Sequence, residues 1–135
     1  MRVALDTNVL VSAFLTRGIC EDVLNVVLAE HQLVLGEVVL AELRRALDRK
    51  MRVHSDLADE AMAFLRREAV IVASAPTLPL EMRDADDVVG LSEAVAGLAE
   101  VVVTGDRGIL DVAEILPVPA VSPRGFWEML HGDRW

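Results

Sequence analysis

The sequence contains few of the residues that stabilise small secreted domains. It has one cysteine, Cys20, and no tyrosine, and aromatic residues make up 4% of the chain. A single cysteine excludes a disulfide within the chain, so folding does not depend on an oxidising compartment. Cys20 lies in an apolar pattern and is predicted to be a buried, unreactive thiol. Because 53% of the residues are hydrophobic but few are aromatic, the core must be aliphatic, as is typical of helices packed on a parallel sheet.

Long apolar runs are also missing. No stretch approaches the roughly 18 consecutive apolar residues that a membrane-spanning helix needs. The N-terminal apolar stretch is interrupted by Asp6, Thr7 and Asn8 and has no small-residue cleavage site, so it does not resemble a signal peptide. The length fits one domain, and no repeat or linker divides it. We therefore predict a single domain over residues 1–135, located in the cytoplasm and not associated with a membrane.

Positive charge is scarce. The chain carries 13 basic and 22 acidic residues, which gives a net charge of −9. This balance argues against nucleic-acid binding, because phosphates attract basic proteins. The objection weakens if several acids are gathered at one site and neutralised by divalent cations. The positions of the acids along the chain therefore matter more than their number.

Apolar periodicity alternates between strand-like and helix-like segments. Short apolar runs predict strands at 2–5, 33–36, 70–73, 101–104 and 117–121, the last an edge strand because it contains proline. Helical spacing predicts helices at 19–28, at 38–47, from an N-cap at Ser55 to 67, at 86–96, at 107–114, and from Ser122 to about 131. This order favours right-handed crossovers, and hence an α/β fold with helices on both faces of a parallel sheet.

Carboxylates follow the predicted strands and begin the predicted helices. Asp6 ends strand 2–5 and Asp106 ends strand 101–104. In open α/β sheets, ligands bind beyond the carboxyl ends of the strands. The crossover helices run antiparallel to the strands, so the first turn of each helix lies at this same edge. The aspartates at the start of helix 86–96 and Glu42, one turn into its helix, are therefore predicted to join Asp6 and Asp106.

Each acid also has an ordinary structural explanation. Asp86 and Asp106 can cap helices. Glu42 can pair with a neighbouring arginine such as Arg45 on the helix surface. Asp6 is harder to explain in this way, because a charge at the end of a buried strand is costly without a partner or a metal. The convergence of these acids on one edge is a stronger indication of function than any one of them.

A cluster of carboxylates favours a hard metal ion. Converging carboxylates raise one another's pKa unless a cation neutralises them. Oxygen ligands suit Mg²⁺ or Mn²⁺ rather than Zn²⁺. The histidines His31, His54 and His131 lie outside the acidic motifs and are predicted to be surface residues. Two ions about 4 Å apart would clamp the attacking and leaving oxygens of a phosphodiester. The sequence offers no Ser-His-Asp arrangement, CxxC pair or glycine-rich phosphate loop as a competing chemistry.

The segments that carry these acids resemble the PIN domain family. The matching segments are LDTNVLVSA (5–13), LAELRRAL (40–47), RDADD (83–87) and AVAGLAEVVVTGDRGIL (94–110), in the family's order over nearly the whole chain. The resemblance implies a three-layer α/β/α fold with a central five-stranded parallel sheet. It also implies hydrolysis of RNA phosphodiesters with Mg²⁺ or Mn²⁺. Many bacterial members are VapC-type toxins neutralised by a small antitoxin, and the TGD form of the last motif resembles a branch grouped as toxin components.

The resemblance implies four principal acids. Asp6 matches the first metal-binding acid of the family, and Glu42 matches the acid of the LAEL segment. Asp87 best matches the third acid, because it precedes the AVAG segment by the usual spacing. Asp106 matches the fourth. Asp6 and Asp87 would be the principal metal ligands, while Glu42 and Asp106 would complete the site or orient the water nucleophile.

Neighbouring polar residues match supporting positions of the family. Asn8 matches the polar residue that steadies the first acid, and Thr7 lies between them. Thr104 provides the hydroxyl before the last acid. Asp84 matches a second, less constant aspartate. Because Asp84, Asp86 and Asp87 are crowded together, which of them is the third ligand stays open.

Basic residues follow the acidic motifs. Arg107 directly follows Asp106 and is predicted to contact a substrate phosphate. Others occur on the helix that carries Glu42, on the next helix and between the two, namely Arg44, Arg45, Arg49, Lys50, Arg52, Arg66 and Arg67. These can either contact the RNA backbone or form a solvated helix face, and the sequence favours neither.

Two other functions fit parts of the sequence. A non-catalytic PIN-fold module would bind RNA or an antitoxin, but the complete set of acids argues against it. A phosphoacceptor signalling domain also gathers acids at strand ends, but it needs a lysine near the site, and Lys50 is the only lysine. The family resemblance further implies a homodimer, and an acidic chain would suit a basic segment of an antitoxin.

Overall fold

The computed structural model describes residues 1–50 and 55–132, so Arg52 and His54 lie outside the described residues. This part of the chain contains the strands β1 (Arg2–Leu5), β2 (Gln32–Gly36), β3 (Val70–Val72), β4 (Val101–Val103) and β5 (Ala120–Val121). Its helices are α1 (Thr7–Leu15), α2 (Ile19–Glu30), α3 (Glu37–Lys50), α4 (Ser55–Glu68), α5 (Ala85–Ala96), α6 (Arg107–Leu110) and α7 (Pro123–His131). A 3-10 turn, Ala113–Ile115, follows α6.

The strands form one parallel sheet in the order β3-β2-β1-β4-β5. In the register of the central strands, Val3 of β1 lies between Leu33 of β2 and Val101 of β4. The chain winds from β1 towards β3 on one side, then crosses back to β4 and continues to β5 on the other. The direction of winding therefore reverses between β1 and β4, which is where ligands bind in sheets of this kind.

The two faces of the sheet belong to two apolar cores. On one face, Val3 and Leu5 of β1 pack in a cluster with buried residues of α1, α2, α3, α4 and α7. On the other face, Ala4 packs with Leu91 and Ala94 of α5. Because every central strand is buried on both sides, the strands read as continuous apolar runs. The predicted three-layer α/β/α fold with a five-stranded parallel sheet is confirmed.

The predicted strands are all present, although β5 is only two residues long. The sequence analysis missed one helix, α1, because the polar residues after Asp6 were interpreted as site residues rather than as a helix start. The predicted helix 107–114 is interrupted after Leu110. There the bonding changes to the shorter 3-10 pattern, in which the Val112 N–H donates to the Ile109 carbonyl at 3.2 Å. Ser122 caps α7 as predicted, since its hydroxyl accepts from the Gly125 N–H at 2.9 Å.

The described histidines and the cysteine are half-buried. The His31 ring meets the Phe126 ring edge-on, with centroids 6.4 Å apart, and the His131 ring lies 4.5 Å from that of Trp127. His31 and His131 thus keep part of their surface exposed, as predicted, while both pack against α7 aromatics. Burial raises the pKa of the Cys20 thiol, which fits an unreactive side chain. Among the described residues, no helix combines the length and apolarity needed to span a bilayer.

Candidate active site

Asp6 lies at the switch point, directly after β1. Its Oδ1 accepts from the Thr7 N–H at 2.8 Å and its Oδ2 accepts from the Thr104 hydroxyl at 2.8 Å. Burial raises the pKa of Asp6, and the charges of Asp106 and Asp84 raise it further, while the two hydrogen bonds act in the opposite direction. The charge of Asp6 is therefore costly in this environment, and a nearby cation would offset the cost.

Thr104 connects the first and the last acid. Its side chain is fully buried after β4, and its oxygen accepts from the Asp106 N–H at 3.0 Å while its proton goes to Asp6. Asp106 also caps α6, because its Oδ1 accepts from the Gly108 and Ile109 N–H groups at 2.7 and 3.3 Å. The capping role of Asp106 uses Oδ1 alone, so it is compatible with the predicted role of Asp106 in the site.

The three aspartates before and within α5 have different environments. Asp84 is exposed and caps α5 by accepting from the Asp86 N–H at 2.9 Å. Asp87 is half-buried, and its pKa is raised to about 6, first by burial and then by the charges of Asp106, Asp84, Asp6 and Asp86. This environment favours Asp87 over Asp84 and Asp86 as the third site acid, in line with the motif spacing. Its role as a ligand stays a prediction.

Glu42 faces the same cluster from α3. It is half-buried, and its pKa is raised by burial and then by the charges of Asp86 and Asp6, while Arg45 lowers it. The pKa of a glutamate on a fully solvated helix face would not be raised by the charge of Asp6 at the end of β1. The structure therefore brings all four predicted acids into one electrostatic cluster. Asn8 is exposed at the start of α1, and its proposed role in steadying Asp6 stays a prediction.

A cleft of about 590 Å³ opens beside this cluster. Asp84, Asp87 and Asp106 line it, and so do two arginines, Arg83 and Arg107. Arg107 was predicted at this place, whereas Arg83 was not singled out, although it stands next to Asp84 in the RDADD motif. The cleft therefore combines carboxylates with the cations that suit a phosphate-bearing substrate.

Some of the other basic residues have structural partners. The Arg44 guanidinium pairs with Asp48 on α3 and with Asp59 on α4. The Arg66 guanidinium forms a two-pronged bond to Glu37 at 2.7 and 2.8 Å. Both arginines join α3 to α4, which favours the solvated-surface interpretation for these two over a contact with RNA.

Whether the acids fit a metal ion depends on their chemistry and on their spacing. In residues 1–50 and 55–132, no three acidic, histidine or cysteine side chains lie close enough together to share one ion. Their chemistry nevertheless fits Mg²⁺ or Mn²⁺, since the acids offer carboxylate oxygens, and the charge of Asp106 raises the pKa of both Asp6 and Asp87. A divalent cation bound between these carboxylates would neutralise this repulsion.

A further buried acid, Glu93, was missed by the sequence analysis. It lies on α5 and is 3% exposed. Its carboxylate accepts from the backbone N–H groups of Val38 and Val39 at the start of α3. Together with Asp6 and Asp87, it lines a small cavity of about 30 Å³ beneath the site. The one indication in the sequence is an acid in the middle of an otherwise apolar helical run.

Comparisons with known proteins agree with this geometry. The model of the PIN domain family matches residues 2–108. Among solved structures, one chain of VapBC2 from Rickettsia felis, crystallised with a DNA fragment from its promoter, matches with a TM-score of 0.63 and 16% identity, over 90% of this chain and 98% of that one.

A second solved structure, FitAcB from Neisseria gonorrhoeae, matches with a TM-score of 0.60 and 19% identity, again over 90% of this chain and 98% of that one. At such identities the likeness establishes the fold alone. No curated protein matches. The family match covers most of the chain, including every segment that carries a site acid, and on that ground the chain belongs to the PIN domain family.

Proposed function

We propose that the protein is a Mg²⁺- or Mn²⁺-dependent endoribonuclease that hydrolyses RNA phosphodiester bonds. The observation that carries this proposal is that Asp6, Glu42, Asp87 and Asp106 share one electrostatic environment at the carboxyl edge of the sheet, where burial and the charges of neighbouring acids raise the pKa of the first three. Acids arranged in this way serve to hold a hard cation. The match to the PIN domain family supports the same chemistry.

The chain's own groups have distinct parts in this reaction. A bound divalent ion supplies positive charge where negative charge develops on the phosphate oxygens. Asp6, fixed by Thr7 and Thr104, and Asp87 are the principal ligands. Glu42 and Asp106 complete the site or accept a proton from the attacking water. This division of roles follows from the rigid hydrogen bonding of Asp6 and the high pKa of Asp87.

The two arginines of the cleft orient the substrate. Arg83 and Arg107 both line the cleft, one before α5 and one at the start of α6. Each can hold a phosphate beside the scissile one, which offsets the repulsion between RNA and the acidic cluster. The net charge of −9 is thus compatible with RNA as the substrate.

We further propose that the protein is the toxin of a toxin–antitoxin pair and acts in the cytoplasm, as a homodimer that a small antitoxin neutralises. The VapBC2 and FitAcB structures share its fold. The PIN motifs of this sequence resemble VapC-type toxins. An acidic toxin suits a basic antitoxin segment. Co-expression with the product of a neighbouring small reading frame, followed by co-purification, tests this assignment.

A second candidate is a PIN-fold module that binds RNA or an antitoxin without cleaving RNA. The observation in its favour is that, among the described residues, no three potential ligands are close enough to share an ion. Such a module would bind RNA equally well with and without a divalent cation. The nuclease requires the cation for cleavage.

The deciding experiment is cleavage of end-labelled RNA by purified protein with Mg²⁺ or Mn²⁺. We expect cleavage that excess EDTA abolishes and that Asp6→Asn eliminates. Asp22→Asn is the matched control, because Asp22 is an exposed acid on α2 that lines neither the cleft nor the small cavity beside the site. Undiminished cleavage by Asp6→Asn would assign the activity to a contaminant. RNA binding without cleavage under all metal conditions would support the non-catalytic module.

A further inference from the structure

Glu93 is a carboxylate enclosed between α5 and α3. Its Oε2 accepts from the Val38 N–H at 2.9 Å and its Oε1 from the Val39 N–H at 3.2 Å. The first N–H groups of a helix have no carbonyl partner within that helix. Glu93 therefore satisfies the start of a helix other than its own. The negative charge is also favourably placed at the positive end of the α3 dipole.

Gly36 makes this approach possible. It is the last residue of β2 and directly precedes α3. A Cβ atom built at Gly36 would lie 1.8 Å from Cδ of Glu93, far inside contact distance. Any side chain at this position would push the Glu93 carboxyl group away from the Val38 and Val39 N–H groups. The hydrogen bonds of Glu93 to the start of α3 therefore depend on glycine at position 36.

The contact between Glu93 and the start of α3 joins the two helices that carry site acids. α3 carries Glu42, one turn beyond the N–H groups that Glu93 holds. α5 carries Asp87, nearer its N-terminus than Glu93. We propose that Glu93 is a positioning residue that fixes α3 against α5 and thereby sets the separation of Glu42 and Asp87. This inference rests on the proposed function, because it assigns Glu93 a part in holding the metal ligands.

Glu93 acts through the backbone and not as a ligand. Although it shares the walls of the small cavity with Asp6 and Asp87, both of its oxygens are occupied by N–H donors. Replacing one oxygen with an amide nitrogen keeps the shape of the side chain but leaves one buried N–H of α3 without an acceptor. Glu93→Gln is therefore the sharpest test of a positioning role.

Mn²⁺ affinity, measured by calorimetry on the full chain, is the primary readout. We expect Glu93→Gln to weaken Mn²⁺ binding about tenfold, the usual scale when a group supporting the ligands is removed. RNA cleavage at saturating Mn²⁺ should show a lower kcat with KM for RNA unchanged. Glu100→Gln is the matched control. Its carboxylate also accepts a backbone N–H, that of Arg2 at 2.8 Å, but at the opposite edge of the sheet, so the control should keep wild-type Mn²⁺ affinity.

The outcomes separate this inference from the proposed function. Wild-type protein that binds no Mn²⁺ overturns both. A folded Glu93→Gln variant with wild-type Mn²⁺ affinity overturns the positioning role alone. If Glu93→Gln does not fold, amide hydrogen exchange of the wild-type protein decides. Because coupling between sites is reciprocal, Mn²⁺ should slow exchange at Val38 and Val39. Unchanged exchange at these amides on adding Mn²⁺ overturns the inference.

Discussion

The Thr104 hydroxyl donates a 2.8 Å hydrogen bond to Oδ2 of Asp6, and it joins two residues that lie 98 positions apart in the chain. The same oxygen accepts from the Asp106 N–H at 3.0 Å. One buried hydroxyl thus orients the first acid of the site and the backbone of the last. The bond exists only where β1 and β4 lie side by side, so it depends on the strand order.

Thr104→Val is expected to weaken the site without changing the volume of the side chain. It removes the donor to Asp6 and leaves the Asp106 N–H without an acceptor, which should cost about 1–3 kcal/mol of unfolding free energy. The pKa of Asp6 should rise, and Mn²⁺ affinity should fall. Carboxyl-carbon NMR titration and calorimetry measure these effects. Thr104→Ser, which keeps the hydroxyl, serves as the control, and equal effects of both variants would contradict this account.

Mn²⁺ binding should depend on pH through Asp87. Its pKa of about 6 in the metal-free protein means that protons compete with the ion in mildly acidic solution. Affinity should therefore rise with pH up to about 6 and level off above it. Calorimetry over this range tests the expectation. A pH-independent affinity between about 5 and 7 would exclude Asp87 as a ligand.

Asp87→Asn is expected to stabilise the metal-free protein at neutral pH. The native state holds the Asp87 proton more tightly than the unfolded chain, in which the pKa has its ordinary value of 3.8. Stability therefore falls as pH rises from about 4 to 6, and the penalty is fully present above this window. Removing the charge should recover about 1 kcal/mol, a reduced figure because solvent screens this partly exposed carboxylate.

Urea unfolding of the two proteins at neutral and at acidic pH tests this prediction. The stabilisation should shrink as pH falls through the window and should disappear once the wild-type aspartate is protonated. Saturating Mn²⁺ should reverse the order by stabilising the wild type alone, by about 2.7 kcal/mol when the ion is at a hundred times its dissociation constant. A variant less stable than wild type without metal would show that Asp87 makes favourable native contacts instead.

If Arg107 contacts phosphate as proposed, Arg107→Ala should weaken RNA binding across sequences, because a phosphate contact does not depend on the bases. The slope of log affinity against log salt should fall by about 1 in magnitude. Filter binding at several salt concentrations, in the Asp6→Asn background that is expected to be inactive, measures this. Arg66→Ala is the control, since Arg66 is held by Glu37 on the α3–α4 surface. An equal loss in both variants would place the RNA elsewhere.

The turn between α5 and β4 offers a stability prediction. Leu98 has φ 59°, a left-handed conformation that suits glycine, and is 68% exposed. Leu98→Gly should stabilise the fold by up to about 1 kcal/mol, because the strain is relieved while little apolar contact is lost. Gly97→Ala should destabilise it by about 1–3 kcal/mol, since a Cβ there would lie 2.3 Å from Cγ1 of Val34. Denaturant midpoints of the two variants should therefore move in opposite directions.

The same turn shows what the sequence can and cannot predict. Sequence rules assign the left-handed position after a helix to glycine, which would be Gly97. The structure instead gives that conformation to Leu98, because Gly97 is needed for close packing against Val34 and Val72. Which of the two residues adopts the left-handed conformation depends on the strands that pack against Gly97. A rule that considers only the local chain has no access to those strands.

The candidate site also contains residues that the sequence predicts and residues that it does not. The meeting of Asp6 and Asp106 was predictable, since it requires only that two strands be recognised and that parallel strands end at a common edge. The role of Glu93 was not predictable. Its side chain reaches the start of α3 only because the end of β2 approaches α5 closely, and this approach requires glycine at position 36. Helix α1 was missed because the polar residues that begin it also carry the first PIN motif.

The position of β1 in the sheet has a consequence for the newly made chain. β1 is synthesised first but becomes the central strand, paired with β2 on one side and with β4 on the other. While the ribosome has released only the first three strands, one edge of β1 is bare, and Asp6 has neither Thr104 nor Asp106 beside it. An unfinished polypeptide therefore has no complete acidic cluster, and the proposed site can assemble only after β4 and Asp106 have emerged.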